Sequence, residues 1–264
     1  MLASNPYAPE ETKFRREFLI GAAALTIPLA VILVFNPDID LALSTAFWEM
    51  CPGPSAGRPW CATEAITTAR EVFMAIFAVV AFATLIATAR VLIEKRRWFG
   101  LDQARCLFMI AVLVMGPGVI ANLVFKDNMG RARPRDIVEF GGSKAFTPPL
   151  VPSRECPRNC SFISGEASSI YAAFFALALL IPQYRIALLI SGVAAGTLAG
   201  VVRIIQGAHF LSDVLFAGVF MAITVGLLHI ACIGVWRDPE RIRSAITTAF
   251  LPLMRAGNLA RGRG

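Results

Sequence analysis

Charge is what this sequence has least of. Asp, Glu, Lys and Arg make up 16% of its 264 residues, while apolar residues make up 56%. That balance excludes an ordinary soluble globular domain, in which about a quarter of the residues are charged. Histidine is rarer still, with two in the chain. Neither lies near Cys156 and Cys160, so a zinc site built on that pair lacks nitrogen ligands. The first apolar run is not followed by a small-x-small cleavage site; Asn36, Pro37 and Asp38 stand there instead. The run also exceeds the core of a typical secretory signal, so it reads as a retained helix. No two halves repeat each other with interrupted apolar segments, which argues against an inverted-repeat transporter.

What the chain has is apolar runs. A bilayer core about 30 Å thick needs roughly 20 apolar helical residues to cross it. Six runs approach that length: Leu19 to Phe35, Val72 to Ile93, Cys106 to Phe125, Ser169 to Pro182, Ile186 to Val202 and Leu211 to Trp236. The expectation is an all-α, polytopic membrane protein with six transmembrane helices. It forms one domain over residues 1–264, with core helices at about 72–236 and a tail over 237–264. The fourth and fifth runs are short and close together, and a single re-entrant hairpin is the alternative for that pair.

Basic residues in short loops set the orientation. Lys13, Arg15 and Arg16 precede the first run, and Lys95, Arg96, Arg97 and Arg105 follow the second. These segments are assigned to the cytoplasm, together with the turn Gln183 to Arg185 and the tail from Arg237 onward, so both termini are cytoplasmic. The outer segment after the third run breaks the pattern, because Lys126, Arg131, Arg133, Arg135, Lys144, Arg154 and Arg158 all lie between Lys126 and Ser168. Cations collected on the wrong face call for an anionic ligand there; nonspecific attraction to lipid headgroups is the plainer alternative. Cys51, Cys61, Cys156 and Cys160 also fall in outer segments, where an oxidising compartment permits disulfides, and Cys51 with Cys61 and Cys156 with Cys160 are the local pairings. The outer segment Asp38 to Arg70 is long enough to cover the site, and the residues do not choose between lid and spacer.

Three clusters at this face carry candidate chemistry. In the first, Lys126 and Arg133 are seven residues apart, nearly one helical face, and Pro134 then discourages further helix. The second, Ser161 to Ser169, precedes an apolar run; a helix N-terminus with Ser164 and Gly165 makes a cradle of N–H groups for phosphate, although ordinary N-capping by Ser164 or Ser168 uses the same residues. In the third, His209 and Asp213 are four apart, so a helix would let the carboxylate accept a hydrogen bond from the imidazole and leave the other ring nitrogen free to attack. Gly207 supplies a bend that brings Arg203 beside His209. Three cations, an N–H cradle and a buttressed nucleophile are the inventory of phosphoryl transfer. His229, in the middle of the last run, is given no role.

At these residues the sequence resembles the type 2 phosphatidic acid phosphatase (PAP2) superfamily, related to vanadium haloperoxidases. The family pattern K-x6-RP is met by Lys126, Arg133 and Pro134, and SR-x5-H-x3-D by Arg203, His209 and Asp213, with Val202 in place of the usual Ser. Between them, Ile163, Ser164, Gly165 and Glu166 stand where Pro, Ser, Gly and His are usual. The resemblance covers about half the chain. It implies a haloperoxidase-like helical bundle and a metal-independent lipid phosphatase without cofactor. Lys126, Arg133, Arg203, Ser164 and Gly165 would bind phosphate; His209, oriented by Asp213, would be the nucleophile of a phosphohistidine intermediate. Glu166 would take the place of the acid, acting directly, through a water or on substrate hydroxyls. The S-G-E variant resembles bacterial lipid A phosphatases and points to a phosphorylated saccharolipid in the bilayer, at the periplasmic face of a bacterial inner membrane. A polyprenyl-diphosphate-dependent phosphotransferase and a non-catalytic lipid transporter or binding protein are the other readings. No nucleic-acid partner is expected, and the oligomeric state stays open.

Overall fold

The structure is a computed structural model that describes residues 9–51, 60–61 and 63–235. Arg58, Trp236 and the expected tail at 237–264 lie outside the described residues. Among those described the fold is helical throughout: α1 (Pro9–Phe35), α2 (Asp38–Met50), α3 (Glu64–Glu94), α4 (Gln103–Leu113, continued in π-helical geometry over Val114–Lys126), α5 (Gly165–Leu180), α6 (Arg185–Ile205) and α7 (Leu211–His229).

Each boundary has a local cause. Thr63 caps α3 by accepting a hydrogen bond from the Ile66 N–H, and Asp102 caps α4 by accepting from the Arg105 N–H at 3.1 Å. Pro117 lies inside the wider turns of α4; without an N–H it cannot join the regular ladder, and a π segment absorbs the break. α7 likewise ends in π geometry over Ile230–Val235.

Five helices are long and apolar enough to cross a membrane: Glu10–Phe35, Glu64–Glu94, Gln103–Lys126, Pro182–Ile205 and Leu211–Ile233. The sixth expected span is α5, whose 16 residues rise about 24 Å, less than a bilayer core. Its position explains the shortness. α5 is packed by α3, α4, α6 and α7 and is buried on nearly every side, so it spans a protein interior and not lipid. The outer helices show the converse, with Ile27, Val31, Val79, Phe82, Ile190 and Leu198 exposed, as lipid-facing positions are. Lipid offers no hydrophobic drive for helices to associate, so close backbone approach matters. On α6, a Cβ at Gly192 would meet Phe174 and Phe175, one at Gly196 would fall on the Tyr171 ring, and one at Gly200 would strike Val214. These three glycines, one per turn, seat α6 against α5 and α7.

α2 is the element the hydropathy pattern does not announce. Of the segment 38–70, α2 packs against α6 and α7 with Asp40 and Ser44 buried. There Trp60, Ala132, Ile137, Phe140 and Phe210 form a second apolar cluster, flanked by Leu41, Trp48 and Phe146. The Cys51–Cys61 disulfide closes the segment that carries Trp60.

Candidate active site

Beneath that cluster meet the C-terminal ends of α4 and α6, the N-terminal ends of α3, α5 and α7, and the loop 127–164. The loop is laid against α4 by backbone bonds: Ser153 N–H to the Met129 carbonyl, Cys156 N–H to Gly130, Cys160 N–H to Lys126 and Ser161 N–H to Arg131. Gly130 has φ +64° and lies against the Ser153 carbonyl, where a Cβ has no room. The Cys156–Cys160 disulfide holds the turn bearing Asn159, whose carbonyl and side-chain oxygens accept from the Arg133 guanidinium at 2.7 and 3.0 Å.

The basic cluster that contradicts the charge rule divides in two. Arg131 and Arg133 turn inward, 1% and 9% exposed, whereas Arg135, Lys144, Arg154 and Arg158 face outward. Lys126, at the end of α4, reaches the first turn of α5: a Cβ on Gly165 would stand 2.9 Å from Lys126 Nζ, so the missing side chain is what admits the ammonium. Arg203 completes the set from α6, near Glu166 and Gln206. Ser164 does not cap α5 with its side chain. Its Oγ is buried without a hydrogen-bond partner, as expected of a group that waits for a ligand. Its N–H is already given to the Asp213 carbonyl at 3.1 Å, so the cradle expected from Ser164 and Gly165 narrows to the unpaired N–H groups of the first α5 turn, beginning at Gly165.

His209 departs from the helical reading. It precedes α7, in a turn made possible by Gly207, whose φ is +63° and whose open side is filled by the Trp60 ring. Its Nδ1 lies 2.7 Å from the Ser161 carbonyl oxygen and 3.6 Å from Asp213 Oδ2, the latter too long for a hydrogen bond. A carbonyl only accepts, so Nδ1 carries the proton and Nε2 presents a free lone pair. The Ser161 backbone, not the carboxylate, therefore fixes the tautomer. Asp213 supplies charge instead. Its Oδ2 accepts from Ser161 Oγ at 2.5 Å and from the Phe210 N–H at 2.8 Å, and its Oδ1 accepts from Arg131 Nη1 at 2.6 Å.

Burial pulls the His209 imidazole down to about 4; Asp213 opposes the shift, and Lys126 and Arg133 reinforce it. Burial, with Arg135 nearby, also lowers Arg133 from its ordinary value. A base is neutral above its pKa, so the ring is an unprotonated nucleophile across the physiological range, and the acidic threshold moves from the usual 6.5 to about 4. With two histidines in the chain, ¹⁵N ring resonances can be assigned with one His229 variant. His209 is expected to stay neutral as pH falls from 7 to 5; titration at or above 6.5 contradicts the buried geometry.

Glu166 is the second departure. Arg70, from the outer part of α3, donates to it through Nε at 3.0 Å and Nη2 at 2.9 Å, and Arg203 Nε stands 3.5 Å away. The Glu166 carboxylate thus accepts charge-assisted hydrogen bonds from Arg70 and has a second guanidinium beside it. In this geometry the carboxylate lies between Arg70 and Arg203. Arg70, Arg131 and Asp40 are site residues that the motif spacing does not reveal. Among the described residues no three His, Cys, Asp or Glu side chains gather into a metal-binding group.

The chain is 41% identical to a lipid A 4'-phosphatase of Francisella tularensis subsp. novicida (strain U112) over 133 residues, half of this chain and 60% of that one, so the match spans less than two thirds of that relative. It is 32% identical to a lipid A 4'-phosphatase of Rhizobium leguminosarum over 196 residues, 70% of this chain and 83% of that one. A lipid A 1-phosphatase of Rhizobium etli is 37% identical over 123 residues, 42% of this chain and 45% of its own length. A solved transmembrane PAP2-type phosphatidylglycerolphosphate phosphatase from Bacillus subtilis aligns with a TM-score of 0.47 and 18% identity, over 80% of this chain and 94% of that one. The family model of the PAP2 superfamily matches residues 106–238, from within α4 through α7, a stretch that holds every expected catalytic and phosphate-binding residue, and this chain belongs to that superfamily.

Proposed function

We propose that this protein is a lipid phosphatase that removes the 4'-phosphate of lipid A, or of a closely similar phosphorylated saccharolipid, at the periplasmic face of a bacterial inner membrane. The observation that carries the reading is the meeting of Lys126, Arg133 and Arg203 around the first turn of α5 with a neutral imidazole whose free nitrogen is Nε2. The cations and the α5 N–H groups neutralise the equatorial phosphate oxygens. Nε2 of His209 attacks phosphorus, the sugar oxygen leaves, and Asp213 stabilises the positive charge that grows on the ring. Water protonates the leaving oxygen, since Glu166 is engaged with Arg70 and Arg203. A second water hydrolyses the phosphohistidine. The substrate class is supported by the lipid A 4'-phosphatases that match over the greater part of this chain. The periplasmic assignment is supported by the basic segments at 13–16 and 95–105, which the positive-inside rule assigns to the opposite side.

Purified protein is expected to release inorganic phosphate from lipid A in preference to phosphatidylglycerophosphate, phosphatidic acid and undecaprenyl diphosphate. Release should be insensitive to EDTA, because side-chain cations do the neutralising, and sensitive to vanadate. A product still carrying its 4'-phosphate refutes the regiochemistry, and label passing to another lipid in place of free phosphate refutes hydrolysis.

A further inference from the structure

The site residues rest on a buried ionic relay that reaches outside the 106–238 family match, to α2. Arg131 is 1% exposed and Asp40 is 1% exposed. Arg131 Nη2 donates to Asp40 Oδ2 at 2.8 Å, and Nη1 donates to Asp213 Oδ1 at 2.6 Å and to Ser212 Oγ at 2.7 Å. Its Nε donates to the Thr147 carbonyl at 2.8 Å, and its plane lies 4.3 Å from the Phe210 ring centroid. Asp40 in turn accepts from the Ser212 N–H at 2.8 Å and from Ser212 Oγ at 2.5 Å. Every hydrogen bond Asp40 accepts comes from Arg131 or Ser212, and these oppose the burial that, together with nearby Asp213, raises its carboxyl above the ordinary range.

We propose that Asp40 and Arg131 are positioning residues for phosphoryl transfer: Asp40 fixes and charge-compensates Arg131, so that Arg131 orients Asp213 toward His209 without cancelling its negative charge. The electrostatic argument is a count of the charges in contact. Two carboxylates share one guanidinium, leaving one net negative charge behind the imidazole. Without Asp40, the full charge of Arg131 turns on Asp213, and the counter-charge to a phosphorylated or protonated ring is spent. The geometric argument is reach. Asp40 is bonded both to Arg131 and to the first turn of α7 at Ser212, so α2 clamps the loop and the helix whose relative placement sets the distance from Asp213 to His209. Neither residue touches the phosphate cations Lys126, Arg133 or Arg203 through any of these bonds, so the effect belongs to the transition state and not to ground-state binding.

The proposal rests on His209 being the nucleophile, and its test separates the two. In Asp40→Asn, kcat on lipid A is expected to fall roughly 10- to 30-fold, the size of coupling found within one hydrogen-bond network. KM and the inhibition constant of inorganic phosphate should stay within about twofold, while vanadate, which mimics the pentacoordinate state, should bind more weakly in proportion to the kcat loss. Ser212→Ala, which removes only the bridging hydroxyl, should show the same pattern at roughly 3- to 10-fold and serves if Asp40→Asn does not fold. Equal weakening of substrate, phosphate and vanadate marks a merely structural role and overturns the proposal, as does unchanged vanadate binding. Calorimetric vanadate and phosphate affinities need no turnover. An inactive wild-type protein therefore sinks the phosphatase reading, while those affinities still decide the role of Asp40.

Discussion

His209→Ala is expected to lower kcat for phosphate release by about 10⁴-fold or more, the loss that follows removal of a catalytic nucleophile. The size follows from the lack of a substitute. The other histidine, His229, lies at the far end of α7 from His209, some 30 Å away along a helix of that length, against the Phe108 ring. Inside the site Ser164 has no base beside it, the Ser161 hydroxyl is turned onto Asp213, Glu166 is paired to Arg70 with Arg203 beside it, and Asp213 accepts from three donors with His209 Nδ1 3.6 Å away. The fold should survive. The lost bond to the Ser161 carbonyl costs about 1–3 kcal/mol through its unsatisfied acceptor, and the α5–α6–α7 packing is untouched. Thermal unfolding in detergent alongside phosphate release checks both parts. Full turnover by a folded His209→Ala protein removes the nucleophile assignment.

The transmembrane architecture is legible because lipid imposes it: six apolar runs map onto α1, α3, α4, α5, α6 and α7, and the charge anomaly in the segment after Lys126 marks the end of the bundle where the cations gather. The motif spacings pick out Lys126 at the end of α4, Arg133 in the loop that follows it, Arg203 near the end of α6, and His209 and Asp213 where the chain enters α7, and the fold brings these together. What the spacing misleads on is local geometry. A spacing of four from His209 to Asp213 suggests a shared helical face, but Gly207 takes φ +63° and the chain enters α7 only at Leu211, so the imidazole finds a carbonyl 48 residues away instead. The surroundings of Glu166 are hidden from the motif for a related reason. Its partner Arg70 is 96 residues distant, and no local pattern signals that a carboxylate in a phosphate motif is already paired. Asp40 is harder still to see, one of three acidic residues on a short helix, with its partner 91 residues on. Its one available signal is Arg131 itself, the cation that exceeds what the K-x6-RP motif requires and so needs a counter-ion of its own.

Those same contacts set the expected result for Asp213→Asn. Where an aspartate alone fixes the tautomer of a catalytic histidine, the amide costs about 10⁴ in kcat, because the wrong ring nitrogen becomes protonated. Here the Nδ1 proton is directed to the Ser161 carbonyl at 2.7 Å, with Asp213 at 3.6 Å, so the amide leaves the tautomer in place. What it removes is the negative charge facing the ring as phosphorus bonds to Nε2. Loss of one such preorganised electrostatic partner is worth about 10²- to 10³-fold, so kcat should fall by that amount with KM nearly unchanged. The fold loses one of the two carboxylates on Arg131 and keeps the other, Asp40, and breaking such a buried pair costs about 3–5 kcal/mol. Asp213→Asn should therefore melt well below wild type yet remain folded at low temperature, and ¹⁵N ring shifts of His209 should still report a protonated Nδ1. A fall of 10⁴ together with a switch of the proton to Nε2 would transfer tautomer control from Ser161 to Asp213. A fall of less than about tenfold would mean that the charge of Asp213 is not used in the transition state, and the relay from Asp40 through Arg131 would then have nothing to deliver.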